Sequence, residues 1–221
     1  MKEYFAVLEK CALFCGITPQ ELEAMLCCLD VKTRDYTKNQ TIMSEGTKAL
    51  HIGIVLSGEV DIIKEDYFGN RNIVTSVGEA EMFAEAFALS GTELMPVSAV
   101  AKSDCRIMLA DCKKMISTCT NSCGFHNKLI ENLLLATARK NLILNRKLEI
   151  LSKRTIREKL MTYLLSEAKR KGSDTFTIPF DRQSLADYIG AERSAMSAEI
   201  SKMQKERLII SDRSRFTILR H

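Results

Sequence analysis

From about residue 31 to residue 110, apolar positions come in short runs broken by glycines at 46, 53, 58, 69 and 78. In His51-Ile52-Gly53-Ile54-Val55-Leu56 and in Val60-Asp61-Ile62 every second residue is apolar, the period of a β-strand, with Ser57-Gly58 as a tight turn between them. Many short strands with regular turns predict a sandwich or barrel-like roll. Ahead of it, residues 3 to 29 read as short helices with a break near Gly16 and Pro19. Thr18-Pro19-Gln20-Glu21 has the form of a helix start, with Thr as N-cap, Pro at the first position and Glu at the third.

The period changes after residue 120. Ile130, Leu134, Thr137, Asn141, Leu144, Leu148 and Leu151 are spaced alternately by four and three, the seam of a coiled coil. Asn141 fits a polar seam residue that fixes register in a dimer. A second stripe of Leu129, Leu133, Ala136 and Ile143 widens the apolar face, so one helix can pack on its own domain and on a partner. A single buried helix inside a monomer is the alternative. Ser152-Lys153-Arg154-Thr155 interrupts the pattern and is expected to be a hinge. A further helix is predicted from about Thr155 to Arg170, then a short strand from Thr175 to Phe180 that Pro179 restricts to a sheet edge.

Residues 182 to 205 form two more helices. Arg182 to Ile189 places Leu185 and Ile189 inward, and Gly190 ends the helix where positive φ is easiest. The next helix has an inner face of Met196, Ile200 and Met203, and an outer face of Ser194, Ser197, Ala198 and Ser201 flanked by Arg193 and Lys202. This is helix-turn-helix spacing, with a small, hydroxyl-bearing outer face suited to a major groove. An ordinary helical hairpin with a solvated serine face gives the same pattern. Arg182 and Gln183 are placed to grip backbone phosphate. Ile209 to Ile218 reads strand, basic turn, strand: a wing with Arg213 and Arg215 near its tip.

Charge favours the nucleic-acid reading. Residues 150 to 221 hold 15 Lys/Arg against 9 Asp/Glu, a net +6, while residues 1 to 149 hold 17 against 19, a net −2. The start, MKEYFAVLEK, lacks the apolar stretch of a signal peptide, and no apolar run approaches the roughly 20 residues of a membrane span. A cytoplasmic protein without membrane contact, its eight cysteines reduced, is therefore expected. An enzyme on a cupin-like roll would need clustered histidines, and the chain has only His51, His126 and His221.

The strand-turn-strand IVLSGEVDI, the later VGEAEMFAEAFALSG, the long helix and FDRQSLADYIGAERSAMSAEISKM resemble the CRP/FNR family of bacterial regulators over nearly the whole chain. The resemblance implies an α+β fold: a cupin-like, cyclic-nucleotide-binding-domain-like β-roll sensor (1–120), a dimerisation helix (121–151) and a winged helix-turn-helix (152–221). It also implies a homodimer on a palindromic double-stranded DNA operator, with half-sites about 34 Å apart. RNA polymerase is a further partner if the protein activates.

Departures from the family refine this. In cyclic-AMP-binding members a Gly-Glu pair and a following Arg-Ser or Arg-Thr hold the ribose and the cyclic phosphate. Glu85 matches the ribose-binding acid, but the arginine position falls near Met95 and the hydroxyl near Pro96, followed by Val97. A buried phosphate without a cation is poorly compensated, so the effector is an unknown small molecule and cyclic AMP is not expected. On the recognition helix, Ser194 and Ala198 replace the usual glutamate and second arginine, so the operator should differ from the best-known family sites. Glu199 stands at a usually apolar position, and nothing in the sequence accounts for it. Two alternatives remain: a redox- or metal-sensing regulator using Cys119, Cys123 and His126, and a cyclic-nucleotide-binding protein without DNA binding. The spacing of Cys11, Cys15, Cys27 and Cys28 does not match the iron-sulfur branch of the family, and no metal is expected.

Overall fold

In a computed structural model, residues 2–65, 67, 71–91, 94–117 and 124–219 are described. The chain forms two compact units, 1–138 and 139–221. The first begins with helix α1 (Phe5–Leu8), a 3-10 turn at Ala12–Phe14 and α2 (Pro19–Cys28). Thr18 and Glu21 cap α2 reciprocally, each side chain bonded to the other's backbone N–H.

Among the described residues eight strands follow: β1 (Lys32–Tyr36), β2 (Thr41–Met43), β3 (His51–Ser57), β4 (Val60–Glu65), β5 (Arg71–Val77), β6 (Met82–Phe83), β7 (Ser98–Ala101) and β8 (Cys105–Asp111). Helix α3 (Glu85–Ser90) lies between β6 and β7, and α4 (Cys112–Ile116) follows β8. The strands pair antiparallel in two four-stranded sheets, ordered β1-β8-β3-β6 and β2-β7-β4-β5. Ser57-Gly58 is thus a crossing point from one sheet to the other, since β3 and β4 do not pair. Gly58 has φ +81°, and a Cβ there would lie 2.4 Å from the Asp104 carbonyl oxygen, so only glycine fits this crossing.

Strand β3 is buried from Ile52 to Leu56, although its sequence alternates. Each face of the strand meets a different apolar layer. Ile52, Ile54 and Leu56 pack with Leu13, Leu22, Met25 and Leu29 of the N-terminal helical segment. Val55 joins the layer between the sheets with Tyr36, Ile62, Phe83, Val97 and Ile107. At Gly53 the Phe83 ring occupies the space of the missing side chain, 2.2 Å from an added Cβ.

Helix α5 (Gly124–Leu151) is the longest element, and the boundary between the units falls within it. Its Leu129, Leu133 and Ala136 enter the same apolar layer as Ile52 and Leu22. Buried Asn132 donates to the carbonyls of Leu13 (3.0 Å) and Cys15 (2.8 Å), which fixes the helix on the N-terminal segment. No helix among the described residues is long and apolar enough to cross a membrane.

The second unit contains α6 (Ile156–Lys171), β9 (Thr175–Thr177), α7 (Arg182–Ile189), α8 (Arg193–Lys205), β10 (Ile209–Asp212) and β11 (Arg215–Ile218). Thr155 and Glu158 cap α6 reciprocally, and Gly172 closes it at φ +64°. The three strands form an antiparallel sheet ordered β10-β11-β9, with β9 at an edge. Leu160, Leu164, Leu185, Ile189, Met196, Ile200, Met203 and Phe216 make one buried core from all three helices and the sheet. This is a winged helix-turn-helix, and the whole is an α+β protein with an N-terminal β-roll and a long connecting helix.

Candidate DNA-binding interface

The helix pair is set by local chemistry at each end. Asp181 caps α7 by accepting from the Ser184 N–H at 2.7 Å. Gly190 ends the helix in the left-handed conformation at φ +61°. Glu192 then caps α8, its carboxylate accepting from the N–H groups of Ser194 (2.9 Å) and Ala195 (2.8 Å) and from the Ser194 hydroxyl. These bonds, the Ser194 hydroxyl foremost, hold the Glu192 carboxyl below the usual carboxylate range. Helix α8 starts three residues after the glycine break, at Arg193.

The two faces of α8 differ sharply. Met196, Ile200 and Met203 are buried. Arg193, Ser194, Ala198, Ser201 and Lys202 are exposed and Ser197 is half-buried. The Ser201 hydroxyl donates to the Ser197 carbonyl at 3.0 Å. Both bonded serine hydroxyls keep oxygen lone pairs free, so the outer face offers acceptors at Ser194 and Ser201 and a cation at Arg193. Arg213, at φ +48°, and Arg215 are exposed at the turn between β10 and β11.

The two residues at the head of α7 behave differently. Gln183 is exposed and bonds Asp187 at 2.9 Å. Arg182 turns inward: its guanidinium lies 5.2 Å from the Phe216 ring centre, and one nitrogen donates to the Ser211 hydroxyl at 2.6 Å. The other terminal nitrogen is buried without a hydrogen-bond partner, and burial lowers the pKa of the group. Ser211 in turn donates its N–H to the Gln204 side chain at 2.7 Å, so α7, α8 and the wing meet at this point.

Sequence reasoning missed Arg157. From α6 it donates to Glu199 at 2.6 Å and, through both terminal nitrogens, to Glu206 at 2.7 and 3.0 Å. That places a polar partner against Glu199 and explains a carboxylate where an apolar residue was expected. The only sequence signal is the seven-residue spacing of Glu199 and Glu206, which puts them on one helix face. Lys159, on the same α6, donates to the Gly190 carbonyl at 3.2 Å.

In the roll, Glu85 is buried at the head of α3, directly after Ala84, which adopts φ +63°. Met95, 2 % exposed, and Val97 belong to the apolar layer between the sheets, while Pro96 is exposed. Met95 exchanges backbone bonds with the neighbouring loop, donating to the Thr47 carbonyl (2.7 Å) and accepting from Gly46 (2.9 Å). Cys119 and Cys123 lie outside the described residues. His126 is buried, with Nε2 donating to the Lys114 carbonyl at 3.1 Å and Nδ1 unpartnered. Among the described residues no three His, Cys, Asp or Glu side chains are grouped to hold a metal ion.

Along α5 the two apolar stripes separate. Leu129, Leu133 and Ala136 are buried, but Ile143 is exposed, so the second stripe packs only in its first part. In the seam, Leu134, Leu144 and Leu148 are 69, 60 and 63 % exposed. Ile130 and Thr137 are half-buried and Asn141 is exposed, accepting from Asn145 at 2.6 Å.

Residues 33–122 match the cyclic nucleotide-binding domain, and residues 158–221 match the Crp-like helix-turn-helix domain. The chain is similar to the probable transcriptional regulator flp of Lacticaseibacillus casei, with 25% identity over 80% of this chain and 78% of that protein. It is also similar to the CRP-like cAMP-activated global transcriptional regulator of Mycobacterium tuberculosis, with 22% identity over 95% of this chain and 96% of that one. Its fold is that of the Thermus thermophilus catabolite activator protein, with TM-score 0.55, 22% identity and coverage of 94% and 93% of the two chains. Both domain matches fall in order on one chain, over a roll and a winged helix-turn-helix that fit them, and the chain belongs to the CRP/FNR family of transcription regulators.

Proposed function

We propose that this protein binds a specific, palindromic double-stranded DNA operator as a homodimer, under control of a small-molecule effector held in its N-terminal unit. The observation that carries the reading is the one-sidedness of α8. Met196, Ile200 and Met203 are turned inward, and its outer face is small, hydroxyl-bearing and flanked by Arg193 and Lys202. Arg193, Ser194, Ser197, Ala198 and Ser201 would meet base edges. Ser194, already donating to Glu192, would serve as an acceptor for an amino group of cytosine or adenine. Lys202, Gln183, Arg213 and Arg215 would neutralise phosphates, and Arg182 would brace the wing.

Homodimerisation is supported by the exposed seam of Leu134, Leu144 and Leu148, together with Leu142 and Ile143, an apolar surface of a kind that single soluble chains rarely leave uncovered. In this reading residues 1–120 sense, 121–151 dimerise and 152–221 bind DNA, with 152–155 as the hinge between response and signal. Cyclic AMP is not the effector, because buried Met95 stands where the family resemblance puts the cation for the cyclic phosphate.

Fluorescence anisotropy with operator fragments selected from random DNA tests the reading. Specific, saturable binding is expected, with log K falling against log salt by about 0.9 per neutralised phosphate. Binding that ignores salt, or none at all, would overturn it. Sedimentation of a Leu144→Lys/Leu148→Lys variant should show a monomer where the parent chain is a dimer. Calorimetry with cyclic AMP should show no specific heat.

A further inference from the structure

A cleft in the first unit is lined by residues that the proposed DNA interface does not use. It has a volume of about 210 Å3 and opens where edge strand β1 of one sheet approaches edge strand β2 of the other. Three cations line it, Lys32, Arg34 and Lys48, together with the imidazole of His51. Lys32 and Arg34 are two apart on β1 and so share a face, opposite Leu109 and Ile107 of β8. The floor is apolar, built from Ile42, Leu109 and Met95. Glu85, at the ribose position of the family resemblance, does not line it, although Met95, at the position of the phosphate cation, does.

The charges in this cleft are not balanced from within. No acid lines it, and among the described residues Lys32, Arg34 and Lys48 form no ion pair. The acids nearest in sequence are engaged elsewhere. Asp30 binds Lys114 at 3.0 Å, Asp35 binds Arg106 at 2.8 Å, and Asp111 caps α4 through the Lys114 N–H at 3.1 Å. Like charges gathered in a concave, low-dielectric wall focus the field and attract an anion. On a flat solvated surface they would disperse.

We propose that this cleft binds a small organic anion, a phosphate or carboxylate on a short apolar body. Lys32, Arg34 and Lys48 take the anionic group, and the Ile42, Leu109 and Met95 floor takes the body. Size decides for a small molecule. The volume lies below the roughly 300–1,000 Å3 typical of sites for larger ligands, and its concavity suits one headgroup and a few carbons better than a protein surface. The inference is independent of the DNA-binding reading.

The test is calorimetry on the full chain at low salt with n-butyl phosphate and butyrate, against inorganic phosphate and n-butanol as the separate halves. At least one of the two amphiphilic anions should bind saturably, roughly tenfold tighter than either half. The Lys32→Gln/Arg34→Gln variant should lose roughly tenfold of that affinity. Both side chains are exposed, so the variant should fold as the parent does and keep its DNA affinity. No saturable heat with either anion, or equal affinity in parent and variant, would overturn the proposal. So would tight binding of a hexaglutamate peptide with none of the small anions, which would make the cleft a dock for an acidic protein segment.

Discussion

The cations that tie elements together in the second unit and those that line the cleft of the first are used in different ways. In the second unit Arg157 joins α6 to Glu199 and Glu206 of the α8 region, Arg182 lies over Phe216 and bonds the wing, and Lys159 holds the Gly190 carbonyl. In the first, Lys32, Arg34 and Lys48 surround a cleft and form no close ion pair among the described residues, Lys32 having only the longer-range attraction of Asp30. A cation paired within its own chain fixes geometry, because moving it breaks charge-assisted bonds. A cation left unpaired in a concavity is available to something from outside. The division runs by place and not by unit: Arg106 and Lys114 of the first unit are paired with Asp35 and Asp30, while Arg193, Arg213 and Arg215 are exposed on the proposed DNA side of the same unit that holds Arg157 inward.

The largest expected effect breaks this comparison at Arg157. Arg157→Ala removes the bonds to both Glu199 and Glu206 and leaves α8 less firmly placed, without touching the proposed DNA face. Operator affinity should fall on the order of tenfold, the scale of one lost base contact. Arg157→Lys cannot reproduce the paired bonds to Glu206 and should fall in between. If Arg157→Ala lowers the melting temperature but leaves operator affinity unchanged, the residue is a structural tie and has no part in presenting the helix.

Much of the second unit was legible because its signals are local. Gly190 at φ +61°, the Thr155 cap and the inner triplet Met196, Ile200 and Met203 each follow from a few adjacent residues. Arg157 was not legible, since its partners lie 42 and 49 residues away and no period links them. Arg182 was read as a phosphate anchor from its place at a helix start, but the aromatic face of Phe216 that draws it inward comes from a distant strand. In the roll, strand positions could be read from alternation. The burial of both faces of β3 could not, because it depends on which layers pack on either side.

Arg182 offers the next sharpest test. Arg182→Met keeps an unbranched apolar stem against Phe216 and removes both the Ser211 bond and the buried unpartnered nitrogen. A hydrogen bond is worth about 1 kcal/mol and an unsatisfied buried donor costs about 1–3 kcal/mol. The variant should therefore gain on the order of 1 kcal/mol in urea unfolding. If Arg182 swings out to a phosphate in the complex, the salt slope of DNA binding would drop by about one. An unchanged slope assigns it to bracing the wing.

The first unit holds a non-glycine residue in the left-handed region beside Glu85. Ala84 sits at φ +63° beside Glu85, where a Cβ costs about 1–2 kcal/mol and glycine would lose about 0.5–1 kcal/mol of chain entropy. Ala84→Gly should thus stabilise the chain by roughly 0.5 kcal/mol, read as a higher urea midpoint at unchanged slope. A loss of stability would show that the Ala84 methyl, which packs in the layer between the sheets, contributes more than its conformation costs.

The smallest effect tests the unpaired cations themselves. Lys32→Gln/Arg34→Gln removes two like charges that face one cleft, and no ion pair among the described residues is lost with them. Without added anion the stability of the variant should stay within about 0.5 kcal/mol of the parent, on the side of a gain, because repulsion within the cleft is relieved and only the weak attraction of Asp30 for Lys32 is lost. The sign is what matters. A loss of more than this would mean that the two cations are tied into the fold as Arg157 is, and the contrast would fail at its weaker end. Raising the salt should narrow the gap between variant and parent, since screening relieves in the parent the same repulsion that the substitutions remove.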